Sequence, residues 1–138
     1  MQDNTYPITI SNRFHVTDTD ALIGLLDSIT WDRDSHLTVE TYPDGTCAFS
    51  NDAAITGLNG NTDDEDAVYE GLQALVPEDD AIVVIEMNSG LIDPGNALVT
   101  VITANGIDYT SIYNEAERRA RRLTGNRDFY MYRDLNLA

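Results

Sequence analysis

Apolar residues recur along this chain with two different periods, and the alternation between them limits the fold more than any other feature. Ile8, Ile10, Phe14 and Val16 fall on even positions, the two-residue period of a strand with one buried face. Thr17 then reads as an N-cap with Asp20 three residues on, and Leu22, Ile23, Leu25, Leu26 and Ile29 form a helical stripe. Leu37 and Val39, the turn residues Pro43-Asp44-Gly45, and Cys47 and Phe49 predict a hairpin. The stretch 51–61, rich in Gly and Asn, reads as a loop. A second helix is expected from a Thr62 cap, with Glu65 at the capping-box position, Val68, Leu72, Leu75 and Val76 on its buried face, and Pro77 at its end.

Ala81 to Ile85 is nearly all apolar, as expected of a strand covered on both faces. A Gly/Pro loop at 90–96 leads to two runs, 98–103 and 107–111, separated by Asn105-Gly106, the strongest short hairpin signal in the chain. A third helix from about Ile112 to Leu123 stops at Gly125, with Ile112, Tyr113, Ala116, Ala120 and Leu123 on one side and four arginines on the other. Phe129 to Tyr132 reads as a last strand. The order β-α-β-β-α-β-β-β-α-β predicts an α+β fold: a mixed, mostly antiparallel sheet made of hairpins, with about three helices packed mainly on one face. At 138 residues, the expectation is one acidic domain over 1–138, long enough to bury a core.

Charge is the second constraint. The chain has 24 Asp and Glu against eight basic residues, all arginine. Residues 1 to 117 hold 22 of the acids and two arginines, a charge of −20, while the last 21 residues hold six arginines and two acids, a charge of +4. Solubility needs only a modest net charge, and −20 costs stability through self-repulsion, so a basic partner, a cation or salt is expected to compensate.

Several chemistries are excluded or unsupported. The absence of lysine removes Schiff-base catalysis and the lysine-dependent phosphate loop. His15 and His36 stand in separate strand-like segments without metal-ligand spacing, and His15 reads as an exposed structural residue. Cys47 reads as a small core residue, and one cysteine forms no internal disulfide. The run Asn59, Asn61, Asp63, Asp64, Asp66 lacks the glycine and terminal glutamate of a calcium loop and reads as a helix start. No enzyme, cofactor or metal is therefore expected. The first residues lack a basic start and apolar run, and no apolar stretch is long enough to cross a bilayer, so a cytoplasmic site away from membranes is expected.

The acids group in ways that suggest a partner surface. Asp63, Asp66 and Glu70, spaced i, i+3, i+7, would stack along one helix face beside Asp64, and Glu78, Asp79 and Asp80 extend the charge. Asp27, Asp32 and Asp34 form a second cluster. Such rows resemble a phosphate line and would attract a groove built for nucleic acid, with Trp31 and Tyr69 as aromatic anchors. The expected function is a non-enzymatic inhibitor that mimics nucleic acid and blocks a basic nucleic-acid-binding protein, in the manner of phage or plasmid counter-defence proteins such as anti-CRISPR or anti-restriction proteins. The alternatives are an immunity protein or antitoxin that covers a basic toxin, and a salt-adapted protein of unrelated function, the last favoured by 17 Asp against seven Glu. In the arginine helix, Glu115 with Arg119 and Glu117 with Arg121 are i, i+4 pairs, while Arg118, Arg119 and Arg122 would meet an acidic face of a second copy in a homodimer. Direct nucleic-acid binding by this helix is not expected, since the field of the remainder repels a polyanion.

Overall fold

The strand that opens the fold carries one residue more than its neighbour can pair. In the computed structural model, which describes residues 6–89 and 97–129 (backbone only for 6, 7, 88, 89, 112 and 113), β1 (Tyr6–Ser11) and β2 (Phe14–His15) lie along the same edge of β5 (Thr46–Asn51). Thr9 faces Asn51 and Phe14 faces Cys47, so the register slips by one between them. A slip of one moves side chains to the opposite face. The even-numbered pattern is therefore not one face: Phe14 points into the core with Thr9, whereas Ile8 and Ile10 lie half-buried on the other side. Across the break Asn12 continues the pairing, donating from Nδ2 to the Ala81 carbonyl (3.0 Å) and accepting the Val83 amide at Oδ1 (2.8 Å).

The main sheet is antiparallel throughout. Its order is β4 (Thr38–Thr41), β5, β1, β7 (Ile82–Ser89), β8 (Leu98–Thr103) and β9 (Gly106–Ser111), with β2 beside β1. The hairpin at 38–51 turns through Asp44-Gly45, and Gly45 takes the positive φ (+87°) that its turn requires. The Asn105-Gly106 hairpin forms, but Gly106 already pairs with Thr103, so Ala104 and Asn105 make the turn. Thr103 Oγ1 accepts the Asn105 amide at 3.3 Å and stabilises it.

Helix α1 (Thr19–Ser28) is capped by Asp18, which accepts the Ala21 amide at 3.1 Å, and not by Thr17. Leu22 and Leu26 are fully buried, and Ile29 leads directly into β3 (Ile29–Trp31). This short strand pairs with β6 (Ile55–Leu58), inside the stretch read as loop. The sequence holds both signals: Ala53, Ile55 and Gly57 alternate inward, and Asn59 and Gly60 take positive φ (54° and 83°), as a type I′ turn demands. Gly57 is obligatory, because a Cβ there would lie 1.6 Å from the Asn61 carbonyl oxygen.

Helix α2 (Glu65–Gln73) begins three residues after Thr62; Asp64 holds the N-cap position without a side-chain capping bond. Val68, Leu72 and Val76 join Phe14, Phe49, Ile82, Val84 and Ile102 in the core between the sheet and α1/α2. Cys47 belongs to the same cluster, 2% exposed.

Helix α3 (Ile112–Thr124) follows β9 without a loop; Ser111 caps it and Gly125 (φ 72°) ends it. It is rotated from the orientation its sequence suggests. Ala116 and Leu123 are not buried, Leu123 being 81% exposed, and Glu117 is buried at 6%. The loop at 90–96 and the last strand beyond Phe129 lie outside the described residues. No helix among the described residues is long and apolar enough to cross a membrane.

Candidate functional site

The pleat of the sheet assembles a site from residues far apart in sequence. Val84, Thr100 and Tyr109 lie opposite one another on β7, β8 and β9, and Glu86 lies opposite Leu98, so all five share the face that meets α2. The N-terminal half of α2 brings Glu65, Asp66 and Tyr69 over this face. The result is a cleft of about 220 Å³ lined by Glu65, Asp66, Tyr69, Glu86, Thr100 and Tyr109, together with Leu98 and parts of Val99 and Thr110.

Its geometry is defined by hydrogen bonds on one side and open on the other. Glu86 Oε1 accepts the Tyr69 hydroxyl at 2.9 Å, and Oε2 accepts the Ile55 amide at 3.1 Å. A carboxylate has about four acceptor sites, so these bonds leave capacity unused. Tyr69 stacks edge-on against Tyr109 (centroids 5.9 Å, interplanar angle 76°), and Tyr109 remains 55% exposed.

Three titratable groups of the cleft are shifted toward their protonated forms. Burial, then the charges of Glu86 and Asp66, push the Glu65 carboxyl above its ordinary range. Burial and the Glu86 carboxylate push the Tyr69 hydroxyl up strongly, and burial with Asp66 raises Tyr109. Among the described residues no arginine lines the cleft. No group of three or more His, Cys, Asp or Glu side chains among them is arranged to hold a metal ion.

The sequence-based candidates are distributed differently from expectation. Asp63 precedes α2 in a turn, so the i, i+3, i+7 row does not form; Asp66 and Glu70 alone of that set are on the helix, both exposed. Tyr69 is 3% exposed and serves the cleft wall and core, not an open surface. Trp31 is half-buried in β3 against the core. Glu78 and Asp79 lie at the surface in the turn beyond the far end of α2 and do not line the cleft. Asp80 is occupied within the fold, accepting the His15 amide (2.7 Å) and the Ala81 amide (2.8 Å) and touching the exposed His15 ring at 3.0 Å. Burial opposes its ionisation, but those bonds outweigh it and hold the carboxyl below its usual range. Asp32 accepts the Ala54 amide, Asp27 and Asp34 are exposed, and Asp64 is half-buried at the α2 start.

Sequence reasoning missed Glu86, Tyr109 and, beyond its place in a capping box, Glu65. A signal exists for the first: Glu86 continues the inward parity of Ile82 and Val84, an unusual place for a charge. Nothing local identifies Tyr109, whose role comes from strand register.

Several arginines are paired within the chain. Glu115 is shared by Arg118 and, at 3.9 Å, Arg119, and Glu117 lies 3.7 Å from Arg121, so both expected i, i+4 pairs are present. Arg118 and Arg121 also line a second hollow of about 280 Å³ with Asp108, Tyr109 and Glu117, where charges of both signs meet. Arg33 donates to the Asp52 carbonyl. Comparison of the chain with protein-family models, with curated proteins and with solved structures finds no match.

Proposed function

We propose that this protein is a non-enzymatic inhibitor whose acidic surface covers a basic nucleic-acid-binding site on another protein. The observation that carries this reading is the contrast between neutralised and unneutralised charge. Arg118, Arg119 and Arg121 of α3 lie beside Glu115 and Glu117, while Glu65, Asp66 and Glu86 face one cleft that no arginine of the described residues lines. A basic protein would relieve that repulsion on binding, and the field of a −16 chain would steer it there. Mimicry in this form rests on local charge density at the α2 start, since the acids do not form a regular phosphate-spaced row.

The test is capture of partners from a host lysate at low salt, elution by a salt step, and assay of each recovered protein for nucleic-acid binding with and without one equivalent of this chain. Recovery of a nucleic-acid-binding protein that loses its ligand on addition of the chain supports the proposal. Recovery of a single toxin with no such site favours immunity, and absence of any salt-released partner from folded protein overturns the inhibitor reading.

A further inference from the structure

The chain contains a filled version of the cleft. At the β4–β5 turn, the Arg13 guanidinium lies 3.7 Å over the centre of the Tyr42 ring, with Nη2 3.1 Å from Asp44 Oδ2, while the Tyr42 hydroxyl donates to Glu40 at 3.0 Å. That is a planar cation held between a tyrosine face and one carboxylate, Asp44, with a second carboxylate, Glu40, on the tyrosine hydroxyl. The cleft at α2 has the same parts, a half-exposed tyrosine ring with three carboxylates, and lacks a lining arginine among the described residues.

We infer that this cleft receives one arginine side chain of the basic partner, stacked on Tyr109 and paired with Glu65, Asp66 and Glu86. The inference rests on the inhibitor reading and supplies its point of contact. Three physical arguments select the occupant. The volume of about 220 Å³ is below that of ordinary small-molecule pockets and suits a single side chain. The carboxylates are not arranged as a metal-binding group, which disfavours a divalent ion. A guanidinium combines a face that stacks on tyrosine with planar donors for carboxylates, and it is less strongly hydrated than an ammonium. Arginine is also enriched among residues that dominate interface energetics.

The experiment uses the full chain and a blocked arginine, N-acetyl-arginine amide, titrated while the aromatic NMR signals of Tyr69 and Tyr109 are followed, with blocked lysine as comparator. Saturable shifts of Tyr109 are expected, weaker with lysine, and Glu65→Gln or Tyr109→Ala should each weaken arginine binding by about five-fold. Both positions are solvent-accessible, and retention of the core methyl signals confirms folding of each variant. Absence of saturable shifts, or equal binding by both variants, overturns the inference. The inhibitor reading is judged separately by partner capture: a partner held equally by wild type and Tyr109→Ala keeps that reading and removes this one. Sedimentation of the chain alone completes the test, since self-association abolished by Tyr109→Ala would make a second copy's arginine the occupant and overturn assignment to a partner.

Discussion

Two tyrosine–carboxylate clusters on this chain differ in where their arginines sit: Arg13 lies over the Tyr42 ring, whereas Arg118 and Arg121 line a hollow beside Tyr109 and no arginine among the described residues lines its cleft. Around Tyr42, two bonds from Thr46, followed by the Arg13 charge, hold the Asp44 carboxyl below its usual range. Around Tyr109, burial and like charges push Glu65 the other way. The two carboxyls thus shift in opposite directions: Asp44 has the Thr46 donors and the Arg13 charge beside it, whereas burial and the charges of Glu86 and Asp66 act on Glu65. Net charge alone does not reveal this. The arginine helix looks like the functional feature in the sequence, yet Arg118, Arg119 and Arg121 lie beside Glu115 or Glu117, whereas among the described residues no arginine lines the cleft at the α2 start.

That contrast can be broken by experiment. The largest expected effect follows reversal of the unfilled cluster: Glu65→Arg with Asp66→Arg should weaken partner binding by about 100-fold in a titration at low salt, the scale of losing desolvated charge pairs. Gly57→Ala is expected to act next. Its Cβ meets the Asn61 carbonyl and disturbs β6, whose Ile55 amide holds Glu86, costing about 1–3 kcal/mol in denaturant unfolding. The Arg13 cluster lies on other strands, so its local signals should stay unchanged.

Smaller effects sharpen the comparison. Glu65→Gln should stabilise the fold at neutral pH by up to about 0.5 kcal/mol, solvent screening keeping the gain small. The sign follows from linkage: the folded carboxyl holds its proton more tightly than the unfolded one, so stability is lost as pH rises through the raised value. The advantage of glutamine is therefore full above that value and vanishes below the unfolded carboxyl range, about pH 4.3. Replacement of Arg119 and Arg122 by Gln should change partner affinity least, by less than about two-fold, because neither lines the cleft or the hollow beside it and exposed charges contribute little. A larger loss would shift the contact to α3.

Much of this architecture was legible in the sequence where the signal is local. The Pro43-Asp44-Gly45 hairpin, the apolar stripe of α1, and the Gly125 stop of α3 depend on neighbours a few residues apart. The missed features depend on pairing. The extra residue between Ser11 and Phe14 reverses parity only relative to β5, and periodicity alone places Ile8 and Phe14 together. Thr62 fits a capping box by spacing, but the β6 turn at Asn59-Gly60 precedes the helix and delays its start to Glu65. The cleft was least legible, because Glu65, Glu86 and Tyr109 meet only through the register of three strands and the docking of α2.

The most direct test of the central claim is competition for the captured partner between a labelled nucleic acid and this chain, run side by side with wild type and the Glu65→Arg, Asp66→Arg variant across a salt series. Displacement of the nucleic acid by wild type, fading with salt and absent in the folded variant, is the expected result. Equal displacement by both proteins, or none by either, would contradict an acidic cleft that stands in for nucleic acid.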